Sequence, residues 1–119
     1  MPRAVVFAYH NVGVRCLRVL LAHGFDLPLV VTHSDSPGET IWFGSVAATA
    51  EEYGIPTLAP DDPNTADLAA RIRALAPDFL VSFYYRTILQ PPLLAAARNG
   101  ALNMHGSLLP HYRGRAPVN

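Results

Sequence analysis

The sequence predicts an α/β domain with a doubly wound, mainly parallel, Rossmann-like sheet. Three observations carry this expectation. Short β-rich runs alternate with segments of helical periodicity. The β runs, led by Val5 to Tyr9, are continuously apolar, as strands covered on both faces are. The residues able to carry chemistry cluster just after those runs, where open α/β sheets collect ligands. At 119 residues the chain has room for one core and is expected to form one domain.

Val5 to Tyr9 is the first predicted strand. Val12 to His23 follows as a helix, with Val12, Cys16, Val19 and Leu20 at inward spacing, Arg15 and Arg18 outside, and Gly24 as its C-terminal cap. Leu27 to Thr32 is the second strand, and His33 to Thr40, rich in Ser, Asp, Pro and Gly, is loop. Ser45 is placed to cap a helix running to Tyr53 and closed by Gly54. Ile55 to Leu58 is a third, short strand, which Pro56 assigns to a sheet edge. Thr65 can cap a helix to Ala76 whose Leu68, Ile72 and Leu75 share a face, and Pro77 ends it. Phe79 to Phe83 is a fourth buried strand. A helix opens at Pro91 or Pro92 and runs through Arg98, and Gly100 precedes a fifth strand, Ala101 to Met104.

Composition narrows the function. Nine Lys plus Arg balance nine Asp plus Glu, so no general affinity for nucleic acid or an anionic membrane is expected, and a small neutral or anionic molecule is the easier partner. The single cysteine, Cys16, allows no internal disulfide and reads as a small core residue in a reducing compartment. No run has the length of a signal-peptide core or a membrane span, so a cytoplasmic location is expected. No metal-ligand set is predicted.

The stretch Asn103-Met104-His105-Gly106-Ser107-Leu108-Leu109-Pro110, continued by His111-Tyr112-Arg113-Gly114-Arg115-Ala116-Pro117, resembles the signature of the folate-dependent formyltransferases. Further stretches are similar to the branch that formylates the 4-amino sugar of UDP-L-arabinose, in the lipid A modification that gives polymyxin resistance. They are Phe7-Ala8-Tyr9-His10, Thr32-His33 with Asp35 and Pro37-Gly38-Glu39, Gly44-Ser45-Val46-Ala47, Ala59-Pro60-Asp61, Ser82-Phe83-Tyr84-Tyr85-Arg86 and Gly114-Arg115-Ala116-Pro117. The resemblance implies 10-formyltetrahydrofolate as formyl donor and UDP-4-amino-4-deoxy-L-arabinose as acceptor. Another nucleotide-linked amino sugar or methionyl-tRNA are the alternatives. Methionyl-tRNA formyltransferases typically carry a Gly-Thr-Pro type loop after the first strand and Ala where Arg115 stands.

Formyl transfer passes through a carbon bearing an oxyanion, so the site must stabilise that charge and remove a proton from the amine. Asn103 and His105, two apart at a strand end, can face one pocket. The amide would donate to the oxyanion, and the imidazole, titrating near neutrality, would take the proton or donate when charged. Standing alone, such an Asn and His would more often shape a turn and pack or cap; the motif behind them gives them the catalytic reading. The resemblance further implies that main-chain groups of Arg86, Thr87, Ile88 and Leu89 hold the folate, with Leu108 and Pro110 as an apolar wall. Ile88 and Leu89 suit a core equally well. Ser107 can hydrogen-bond locally to fix its loop. His10 and Asn11, at a helix start, are candidates for a phosphate or sugar contact, and Arg113 and Arg115, whose guanidinium forks fit phosphate oxygens, for the acceptor's diphosphate. A plain turn and solvated arginines are the bland readings. Tyr84-Tyr85-Arg86 can stack on a ring or pack beneath its loop.

Family members carry a third residue, an aspartate, further along the chain, and no acidic residue follows Asp78. Residues 1–119 are therefore expected to be the N-terminal part of a catalytic domain, ending before that aspartate and, in the bifunctional branch, before a fused dehydrogenase domain. A non-catalytic fragment or partial ligand-binding module is the reading of another class. An uncovered edge at Ala101 to Met104 would then favour self-association.

Overall fold

Alternation along the first strand organises the molecule. The structure, a computed structural model, describes residues 2–33 and 45–104. Its elements are β1 (Arg3–Ala8), α1 (His10–Ala22), β2 (Asp26–Val31), α2 (Val46–Glu52), β3 (Thr57–Leu58), α3 (Ala66–Leu75), β4 (Phe79–Phe83), α4 (Pro91–Leu94) and β5 (Ala101–Met104). Ala4, Val6 and Ala8 of β1 pack with Val14 and Leu17 of α1 and Val46 and Ala50 of α2. Val5 and Phe7, pointing the other way, pack with Leu68, Ala69 and Ile72 of α3 and Leu93 of α4. A strand covered on both faces must be apolar at every position, and each fully buried Phe7, Leu29 or Leu80 side chain contributes about 1.5–3 kcal/mol.

The five strands are all parallel, in the order β3-β2-β1-β4-β5, which is the predicted doubly wound sheet. The chain steps outward from β1 to β3, then crosses back to place β4 against the other side of β1. The carboxyl ends of β1 and β4 therefore flank the switch point where such sheets take ligands. No described helix is long and apolar enough to cross a membrane.

The predicted caps form. Ser45 Oγ accepts from the Ala48 N–H at 3.1 Å and Thr65 Oγ1 from the Leu68 N–H at 3.2 Å. β4 and β5 have their predicted bounds, and β3 lies at the sheet edge that Pro56 suggested, although only Thr57 and Leu58 pair, with Val30 and Val31. Helix α1 differs in two respects. It starts at His10, so Tyr9 alone, in extended conformation, joins it to β1. Its inward row is Gly13, Val14 and Leu17, whereas Val19 is 54% exposed and Cys16 is half-buried against the core. Gly13 explains the rotation: a Cβ there would meet the Ala8 Cβ at 3.0 Å and Val46 Cγ2 at 3.1 Å, so this side of the helix lies closest to the sheet. Helix α4 ends at Leu94 rather than Arg98, because the Arg98 N–H donates to Pro77 O at 3.0 Å and the Asn99 N–H to Asp78 O at 2.7 Å. Those tertiary bonds replace the helical ones.

At the amino ends of the strands the chain closes on itself. The Arg3 N–H donates to Asp78 Oδ2 at 2.9 Å, the Asp78 N–H to Arg3 O at 2.8 Å, and Arg3 Nε to Asp26 Oδ2 at 2.8 Å. Arg3 Nη1 also reaches Leu75 O, a carbonyl in the last turn of α3, at 2.8 Å.

Candidate functional site

The carboxyl ends of β1, β2 and β4 are tied by side chains. Tyr84, directly after β4, takes the left-handed conformation at φ 60°, uncommon for a residue with a Cβ, and turns the chain out of the sheet. Tyr85 then folds back into the core, edge-on to Phe7 with ring centroids 5.4 Å apart. Its face stacks on His33, which follows β2, at 4.1 Å and 12°. His33 also meets the Tyr9 ring edge-on at 5.2 Å, and the Arg86 guanidinium lies 4.9 Å over Tyr9.

The His33 imidazole is held neutral. Its Nε2 accepts the Arg86 N–H at 2.9 Å, which leaves the ring proton on Nδ1. Burial, reinforced by the Arg86 cation, lowers its pKa from the ordinary 6.5. The Tyr85 hydroxyl is buried without a hydrogen-bond partner among the described residues, and burial, followed by the Asp62 carboxylate, pushes its pKa up to about 12.

Beyond Arg86, the loop is pinned by one residue. Asn64 Nδ2 donates to Ile88 O at 2.8 Å, and Asn64 Oδ1 accepts the Gln90 N–H at 2.8 Å. The Asn64 N–H in turn donates to Asp62 Oδ1 at 2.9 Å, a local turn that sets the side chain's direction.

This loop roofs a cavity of about 300 Å³ lined by Ser82, Tyr85, Arg86 to Leu89, Leu94 and Ala101 to Asn103. Ser82 and Asn103 are paired neighbours on β4 and β5, so they project to the same face of the sheet, that of α4. Of the residues singled out from the sequence, Arg86, Thr87, Ile88, Leu89 and Asn103 are brought together here. Ile88 is 77% exposed, so it is not a core residue, while Leu89 packs partly against the α3 and α4 side of the core. His10 and Asn11 form the first turn of α1, at the same end of the sheet. His105, Leu108, Pro110, Arg113 and Arg115 lie outside the described residues.

Sequence reasoning missed Asn64 and gave His33 no role at the site. Asp61-Asp62-Pro63-Asn64 signals a turn, but nothing local shows that its last amide reaches a loop 24 residues on. Among the described residues no group of three His, Cys, Asp or Glu side chains is placed to hold a metal ion.

The described residues form a doubly wound α/β sheet with a cavity under the loop after β4, at the end of the sheet where such folds take ligands. Residues 21–119 match the formyl transferase family, and the chain belongs to it. Two solved structures are similar in fold. Glycinamide ribonucleotide transformylase 1 from Symbiobacterium toebii has a TM-score of 0.65 at 23% identity, over 97% of this chain and 56% of that one. Glycinamide ribonucleotide transformylase 1 from Geobacillus kaustophilus has a TM-score of 0.66 at 24% identity, over 97% of this chain and 63% of that one. The chain thus spans less than two thirds of the length of either.

Proposed function

We propose that the chain supplies the donor-binding half of an enzyme that transfers the formyl group of 10-formyltetrahydrofolate to a primary amine. The observation that carries this reading is the shared cavity, in which Asn103 and the loop from Arg86 to Leu89 meet. The residues suit a flat heterocycle that is also a hydrogen-bonding partner. Ile88, Leu89 and Leu94 offer apolar contact, and the main chain of Thr87 and Leu89 enters no hydrogen bond among the described residues. The donor, when bound, supplies the formyl carbon. In this proposal Asn103, exposed near the end of β5, donates its amide N–H to the developing oxyanion. His105, two residues on, takes the amine proton in this proposal.

The acceptor we propose is UDP-4-amino-4-deoxy-L-arabinose. Support comes from the stretches in this sequence that resemble that branch; in this proposal Arg113 and Arg115 meet the diphosphate oxygens, and the start of α1 at His10 and Asn11 is a further candidate contact.

The test is release of tetrahydrofolate from the full-length protein supplied with 10-formyltetrahydrofolate and, in parallel, the UDP-amino sugar, glycinamide ribonucleotide or methionyl-tRNA. Turnover with the UDP-amino sugar is expected. Turnover confined to either other amine replaces the acceptor, and silence with all three in protein that is folded removes formyl transfer itself.

A further inference from the structure

Three main-chain groups of the β4–α4 loop are held by side chains from elsewhere in the chain, and all three belong to alternate residues. The Arg86 N–H is bonded to His33, and Ile88 O and the Gln90 N–H are bonded to Asn64. The intervening residues, Thr87 and Leu89, keep their main-chain N–H and C=O groups out of any hydrogen bond among the described residues. Holding alternate residues by their polar groups settles which way the others present theirs.

We infer that Asn64 is a positioning residue for the formyl donor: it touches no part of the ligand, but its amide, bridging Ile88 and Gln90, sets the loop main chain that reads the donor. The inference rests on the donor reading given under Proposed function. Its chemistry is specific to a carboxamide. One atom must donate to a carbonyl while another accepts from an N–H, both at 2.8 Å, and Asn does this with a planar group whose direction is set by the turn through Asp62. No other side chain supplies these two bonds, and Ile88 and Gln90 are themselves exposed, so packing does little to hold their main chain.

Asn64→Asp is the discriminating substitution, since it keeps the shape and the acceptor but replaces the donor with a carboxylate oxygen that repels Ile88 O. Protonation restores the donor, because a carboxylic acid O–H can bond Ile88 O while its carbonyl accepts from Gln90. The full-length protein is compared with N64D, N64A and T65A by donor affinity, donor KM, acceptor KM and kcat between pH 5 and pH 8. T65A removes the neighbouring α3 cap and serves as the purely structural control.

Donor affinity is expected to fall about tenfold in N64D at pH 8, which loses one bond to the loop, and at least as much in N64A, which loses both, with acceptor KM little changed. In N64D the loss shrinks as the pH falls, while N64A stays flat and T65A loses stability without losing donor affinity. Wild-type protein that binds no formyl-folate would overturn the donor reading and this inference with it. Wild-type binding with unaltered donor affinity in N64A and N64D overturns the inference and leaves the donor reading standing. Equal losses for donor and acceptor, matched by T65A and without the pH recovery, reduce Asn64 to a structural residue and also overturn it.

Discussion

The two ends of the sheet are built from the same five strands and treat their polar groups in opposite ways. At the amino end, Arg3, Asp26, Asp78 and the Leu75 carbonyl satisfy one another, and Arg98 and Asn99 are drawn down onto Pro77 and Asp78. At the carboxyl end, His33 and Asn64 hold the backbone of the β4–α4 loop only at alternate residues, and the Tyr85 hydroxyl is left without a partner among the described residues. Polar groups matched within the chain give stability at one end. At the other, groups held in place but unmatched among the described residues are the surface that the proposed function assigns to the donor.

Substitutions at the two ends should therefore separate activity from stability. The largest effect is expected at the carboxyl end: Asn103→Ala should lower kcat roughly 100- to 1,000-fold, as loss of an oxyanion donor does, while the denaturant midpoint moves little because Asn103 is exposed. Steady-state kinetics beside urea unfolding checks both halves, and a variant that is active but unstable would reverse the contrast. At the amino end, Asp78→Ala removes the carboxylate that receives the Arg3 N–H. It should cost about 1–2 kcal/mol in urea unfolding with kcat/KM unchanged.

A smaller gain is expected where α3 closes at that same end. Ala76 adopts φ 52° at its C-cap, a conformation that α1 and α2 leave to Gly24 and Gly54 just beyond their own caps. Ala76→Gly should stabilise the fold by about 0.5 kcal/mol, the relief of left-handed strain less the entropy of a glycine.

The mildest effect concerns pH. His33 has a folded pKa below its unfolded 6.5, so its contribution to stability is complete above 6.5 and is lost as the pH falls through the folded value. Protonation would take Nε2 away from the Arg86 N–H and set a second cation beside the guanidinium. Urea midpoints should decline on acidification below 6.5 more in the wild type than in His33→Gln. Equal slopes would show that the neutral imidazole is not what ties β2 to the loop.

How far each feature was legible in the sequence follows from the range of the forces that make it. The buried strand β4, the bounds of β5 and the caps at Ser45 and Thr65 depend on residues within a turn or two and were read directly. The inward row of α1 was misread at Val19, because apolar spacing cannot show that the close approach of Gly13 to Ala8 and Val46 turns the helix. The end of α4 was misread because its cause, the pairing of Arg98 and Asn99 with Pro77 and Asp78, lies 21 residues away. At the site, the loop from Arg86 to Leu89 and Asn103 could be named from the motif. Asn64 and His33 could not, since each acts on main chain 20 or more residues distant through a side chain that is ordinary in a loop.

The lone Tyr9 between β1 and α1 limits how this protein can diversify. Adding or deleting one amino acid there would swing the following helix by about 100°, carrying Leu17 into solvent and driving Gly13 away from Ala8. Length variation at this mouth is thus closed to evolution and to engineering alike. Under the proposed function, a new acceptor would be accommodated by substitutions at the helix start or by changes in the longer connections after β2 and β4.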